Sequence, residues 1–191
     1  MVNAFWLDRD LRQAAAWLVD RHVTSSVFEC SMVLTTAVQL RGHEDDLSFT
    51  HADNPLTQWA ADSFENWQYL RAYTDAAHEE WRYRWDHTPE ESHGSWEQVA
   101  GLDLEAVREL DWPSTDLSDP PQLTGEWAAD DYVDAYRYYY ANDKRHLFSW
   151  ARDRTEPPWI DEYTVEDPGD ADDAGGANDA GDANEADDRS E

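Results

Sequence analysis

The chain has 191 residues, enough for one domain with a real core, and its 43 acidic against 14 basic side chains give a formal net charge of −29. Cys30 is the only cysteine, which excludes an internal disulfide and a thiolate metal cage; it reads as a small buried hydrophobe. The N-terminus, MVNAFWLDRD, has neither a basic n-region nor an apolar h-region, and no uninterrupted apolar run reaches about 18 residues, so a cytoplasmic protein with no membrane span is expected.

The charge is not confined to one end. Residues 161–191 carry 13 acidic side chains and Arg189, and residues 1–160 keep a net of −17 with 30 acidic and 13 basic side chains. Lys144 is the only lysine. Self-repulsion on this scale destabilises a compact state at low ionic strength and is screened away in molar salt. The composition therefore reads as halophilic. A nucleic-acid mimic is the rival reading, but the acids are scattered along the chain rather than set at phosphate spacing.

In chain order, Asn3–Leu7 is short and apolar, a strand or an extended lead-in to the core. Asp8 or Asp10 caps a first helix over about Leu11–Val19, where Leu11, Ala14, Ala15, Leu18 and Val19 follow helical spacing. A second helix from about His22 to Leu40 turns Val23, Val27, Leu34 and Val38 inward and ends at Gly42. His22, Glu29 and Thr36, seven apart, share another face of it. An acidic loop covers His43–Asp53.

Asn54–Arg84 reads as one long helix around which the rest is organised. Asn54 is a good N-cap and Pro55 suits the first helical position. At 1.5 Å per residue it would run roughly 45 Å. Its stripe of Trp59, Ser63, Asn66, Leu70, Tyr73, Ala77, Glu80 and Arg84 steps by four and three, so these side chains share a face. Asn66, Glu80 and Arg84 among aromatics read as a polar pocket, with a solvated edge as the other possibility.

An irregular connector, 85–94, leads to two short helices, SWEQVA and LEAVREL, capped by Ser95 and Asp103. Trp112–Gly125 holds three prolines and must be mostly extended. Asp130 or Asp131 opens a last long helix to about Asp153. From about residue 166 the chain has no aromatic and no aliphatic larger than alanine, so 166–191 is expected to be a disordered acidic tail. The expectation is an all-α domain, residues 1–165, of five to six helices with a long central one.

His22 and Glu29 would face Asn66, Glu80 and Arg84 if the second and central helices pair. His22 then serves as acid/base, Glu29 or Glu80 as its orienting carboxylate, and Arg84 and Lys144 as anion contacts. His93 and Arg137 complete the expected substrate-binding set. The YRYYY run beside Arg137, Lys144 and Arg145 suits base stacking with phosphate contact, although large aromatics also simply build cores. Histidines and carboxylates are numerous enough to bind a metal, but their spacing matches no metal motif, and no cofactor-binding motif occurs. The other reading of the stripe is a buried polar network that fixes helix register. The functional reading expects removal of His22 to leave stability nearly unchanged.

FWLDRD (5–10), DRHV (20–23) with Glu29, HADNPLTQW (51–59), SFENWQYL (63–70), EWRYRW (80–85), SHGS (92–95) and YRYYYANDKRHLFSW (136–150) occur in order along residues 5–160. With these stretches the chain resembles a family of small helical proteins found in phages, bacteria and archaea. Ser25 and Met32 depart from it, standing where the family carries Lys and Gln, and an acidic insertion, HTPEE, precedes His93. The resemblance implies a nucleic acid or a nucleotide as partner. The expected function is an α-helical enzyme acting on one of these, with a non-catalytic binding module as the alternative.

Overall fold

The computed structural model describes residues 4–44 and 46–165, and over these the chain is all-α. Its helices are α1 (Leu11–Trp17), α2 (Asp20–Leu40), α3 (Pro55–Ala60), α4 (Phe64–Arg84), α5 (Gly94–Ala100), α6 (Leu104–Arg108), α7 (Tyr132–Asp143) and α8 (Ile160–Tyr163). Single 3-10 turns cover Gly125–Trp127 and Arg145–Leu147. The two helices beyond the expected six, α3 and α8, are pieces of six and four residues. The tail expected for 166–191 lies outside the described residues.

The frame is an antiparallel pair, α2 and α4. At one end Trp67 Nε1 donates to the Leu34 carbonyl (3.1 Å), and at the other Arg84 Nη1 meets Asp20 Oδ1 (3.0 Å). Asp20, in the first turn of α2, puts a carboxylate at the positive end of the helix. The other end closes on Gly42 (φ +95), where the Gly42 and His43 N–H groups return to the Gln39 and Val38 carbonyls. By length and composition α2 could cross a membrane, but its apolar window is 67% buried inside the protein, as befits the core helix of this pair.

The expected continuous helix over Asn54–Arg84 is broken at Ala61–Ser63. Ser63 is extended (φ −145), its Oγ accepts the Asn66 N–H (3.0 Å) and donates to the Asp116 carbonyl (2.9 Å), so the chain restarts there as α4. The break frees the Asp62 carbonyl to accept from Ser114 N–H (2.8 Å), which ties down the extended 112–124 segment. The stripe from Trp59 to Arg84 is buried throughout. Most of it faces core rather than a polar pocket; only Glu80 also lines an open cavity, of about 720 Å³, where it meets Arg154.

The last long helix is also shorter than the sequence suggests. After Asp143 the chain leaves helical geometry to run across the start of α2, where the Ser149 carbonyl accepts from Asp20 N–H (2.9 Å) and Ala151 N–H donates to Asp20 Oδ1 (2.8 Å). A helix continued to Asp153 would use those groups internally. The lead-in, residues 4–7, is neither helix nor strand and is buried, with the Leu7 N–H turned back onto the Phe5 carbonyl (2.9 Å). Phe5 N–H donates to the Tyr73 hydroxyl (3.1 Å), and Trp6 is enclosed by Trp59, Tyr69 and Tyr73.

Candidate functional site

Three of the eight expected site residues line one opening. His22, Glu29 and Lys144 border a cleft of about 500 Å³ together with Phe5, Arg21, Ser25, Tyr139, His146 and Leu147. α2 contributes Arg21, His22, Ser25 and Glu29, which helical spacing gathers on one side. The end of α7 and the turn after it contribute Tyr139, Lys144, His146 and Leu147. The early end of α7 is what bends Lys144 and His146 back over α2.

His22 is built into the wall. Its ring stacks on Phe5 (centroids 4.4 Å apart, 17° between planes), and Nδ1 lies 3.0 Å from the Tyr140 hydroxyl. That hydroxyl already accepts the Val19 N–H (2.8 Å), so its own proton is the one available to His22. Nδ1 therefore accepts, and Nε2 carries the imidazole proton. Burial, then Lys144, Arg21 and His146, push His22 down to about 4, so it is neutral at pH 7. The group that orients it is the Tyr140 hydroxyl. A neutral ring with its proton on Nε2 can donate a hydrogen bond to a ligand oxygen, but is poorly set up to remove a proton through that nitrogen.

Lys144 lies over the Tyr139 ring (4.7 Å) and pairs with Asp143 Oδ2 (2.7 Å). Burial opposes its charge, but hydrogen bonds to Asp143 and Tyr139 outweigh this and raise its pKa. The cleft thus gathers Arg21, Lys144 and His146 around a neutral histidine, with Glu29 as its lining carboxylate.

The other five expected residues are elsewhere. Asn66 is fully buried, donating to the Trp59 carbonyl (2.9 Å) and to Ser118 Oγ (3.0 Å) and accepting from Ser118 N–H (2.9 Å). Its amide holds the 112–124 segment and does not face a ligand. The Arg84 side chain has no exposed surface; it donates to the carbonyls of Ala16 (2.9 Å) and Leu18 (2.7 Å), to Asp20 and to Glu80 Oε2 (3.1 Å). It is therefore a tie between α1, α2 and α4 rather than an anion contact. Glu80 also takes the Arg154 guanidinium, which leaves no role as partner to His22. Arg137 donates to the Leu7 carbonyl (2.8 Å), pairs with Asp8 (3.1 Å) and lies over the rings of Trp17 and Trp159. His93 N–H donates to His78 Nε2 (3.1 Å), and its Nδ1 lies 2.7 Å from Ser95 Oγ.

Sequence reasoning missed Arg21, His146 and the ring of Phe5, and it met Ser25 only as a departure from the family and Tyr140 only as one ring of the YRYYY run. Arg21 and Ser25 had a visible signal, being one residue before and three after His22 on a helix. Phe5 had none, and the pairing of Tyr140 with His22 was hidden because it joins residues 118 apart. Among the described residues no cluster of three or more His, Cys, Asp or Glu is placed to hold a metal. No family model, no curated protein and no solved structure matches the chain. The function has to be argued from the site's own chemistry.

Proposed function

We propose that the chain binds the phosphate group of a nucleotide or nucleic acid in the His22 cleft, in a cytoplasm rich in salt. The observation that carries this is the convergence of Arg21 and Lys144, with the His146 ring beside them, on one open cleft in a chain with 14 Lys and Arg against 43 acidic side chains. Fields inside a cleft are focused by its low-dielectric walls, so Arg21 and Lys144 raise local anion concentration despite the acidic surroundings. His22 adds an Nε2–H donor held in place by Phe5 and Tyr140. A cavity of this size falls within the usual range for small ligands.

The test is a titration with pyrophosphate followed by NMR of the histidine side chains. Saturable shifts of the His22 resonances are expected, weakened at least about fivefold in Arg21→Gln and in Lys144→Gln. Absence of any saturable shift would refute the reading. An enzyme acting on a nucleotide is the second reading, favoured by Glu29, the carboxylate that lines the same cleft. It predicts nucleotide turnover that Glu29→Gln abolishes while binding is kept.

A further inference from the structure

The last described residues are anchored beside the cleft. Residues 163–165 are clamped to the end of α7: Asn142 Nδ2 donates to the Tyr163 carbonyl (2.8 Å), Asn142 Oδ1 accepts the Val165 N–H (2.9 Å), and Arg145 Nη1 donates to Thr164 Oγ1 (3.2 Å). Lys144 stands between Asn142 and Arg145, and His146 follows, so the helix end that anchors Val165 also supplies two residues of the cleft. Val165 is exposed, and residues 166–191 follow it with 11 acidic side chains against Arg189. That stretch has no aromatic and no aliphatic larger than alanine, so the apolar pocket of about 330 Å³ beside Trp127 offers it little to bury. What it can bring to a contact is negative charge.

We infer that residues 166–191 are a tethered competitor for the His22 cleft, their carboxylates meeting Arg21 and Lys144 where a ligand phosphate would sit. The inference rests on the anion-binding reading and adds its regulation. Guanidinium and ammonium groups donate to carboxylate and phosphate oxygens alike. Elsewhere such a segment meets a domain whose residues 1–160 carry a net of −17, which repels it. Reach is sufficient, because Asn142 and Lys144 lie within one helical turn of each other and eight residues of chain span about 16 Å on average. Five of the eight residues 166–173 are acidic. Attachment at the rim gives them an effective concentration of about millimolar. Glu29 on the cleft wall weakens the hold, so a phosphate can displace them. The attraction joins exposed charges, so molar salt screens it and the site opens as ionic strength rises.

The test places a nitroxide on Ala171→Cys in the full chain, where the label is selective because Cys30 is buried. At the lowest salt that keeps the chain folded, the label should broaden the His22 and His146 side-chain resonances, and saturating pyrophosphate should restore them. In a second full chain the 11 acidic residues of 166–191 are changed to their amides, Asp→Asn and Glu→Gln. That chain should bind pyrophosphate about threefold more tightly or better than the native one, a gap that closes in molar KCl. Arg21→Gln should shrink the gap and the broadening together. Absence of broadening, or broadening that saturating pyrophosphate leaves unchanged, would overturn the competitor and leave the anion site standing. Equal affinities of the native and amide chains would do the same, as would a gap that persists in molar KCl. Pyrophosphate that binds neither chain would overturn the two readings together.

Discussion

At the scale of single residues, the two most deeply perturbed histidines are His22 and His78. Both are lowered to about 4, His22 by burial and then Lys144, His78 by burial and then Arg82. His78 Nε2 accepts from the His93 N–H, so protonation of that nitrogen would break a buried contact. A histidine whose folded pKa lies below its unfolded value of about 6.5 binds its proton more readily unfolded. Stability from these groups is therefore full above about 6.5 and is lost as pH falls toward about 4. Chemical denaturation between pH 7.5 and 4.5 should show that decline, and His22→Gln and His78→Gln should each flatten part of it. A native curve that rises over the interval, with both variants parallel to it, would contradict the assignment. His22 itself is buried, stacked and hydrogen-bonded, so its removal is no longer expected to be neutral. Tyr140→Phe strands the Val19 N–H and His22 Nδ1 and should cost about 1–3 kcal/mol, read from the same denaturation curves.

At the scale of elements, the buried ion network decides how the helices dock. Arg84 joins the C-terminal carbonyls of α1 to Asp20 at the start of α2 and Glu80 on α4. Removing one partner leaves buried charge and carbonyls without their donor, so Arg84→Leu should lose about 3–5 kcal/mol. A loss below about 1 kcal/mol would mean that water replaces the guanidinium. Ser63→Ala, which takes the cap from α4 and a donor from the Asp116 carbonyl, should cost about 1–2 kcal/mol. Much of this level was legible in the sequence. Helical spacing placed α2 within two residues at its start, and Asn54, Asp103 and Asp131 cap helices where their side chains suggested. The stripe on α4 was legible as a shared face, but not its surroundings. Asn66 and Arg84 look the same in sequence whether they face a ligand or the backbone carbonyls of a distant loop. The breaks after Ala60 and Asp143 were hidden for the same reason, since what ends each helix is a partner far along the chain.

At the scale of the molecule, charge and fold pull against each other. A net of −17 on residues 1–160 should make cooperative structure depend on screening. Circular dichroism of residues 1–165 should show loss of cooperative unfolding below a few hundred millimolar salt, an order-of-magnitude threshold set by the Debye length. A spectrum and melt unchanged down to about 50 mM would remove the halophilic reading. Deleting residues 167–191, a stretch without large apolar side chains, should leave the melting temperature in molar salt within about 1–2 °C.

The docking of the lead-in has a consequence for how the chain is born. Residues 4–7 are made long before their partners: the Leu7 carbonyl waits for Arg137, 130 residues later, and the Val19 N–H waits for Tyr140, 121 residues later. A nascent chain that stops before α7 has made the α2–α4 pair but leaves these groups, Phe5 and the His22 ring without their lid. Its candidate ligand site comes into being only once α7 and the turn after it have been made. Long-range closure of this kind slows folding relative to bundles held by neighbouring helices. It also means that the walls of the candidate cleft are joined only after α7 has docked on the lead-in and on the start of α2.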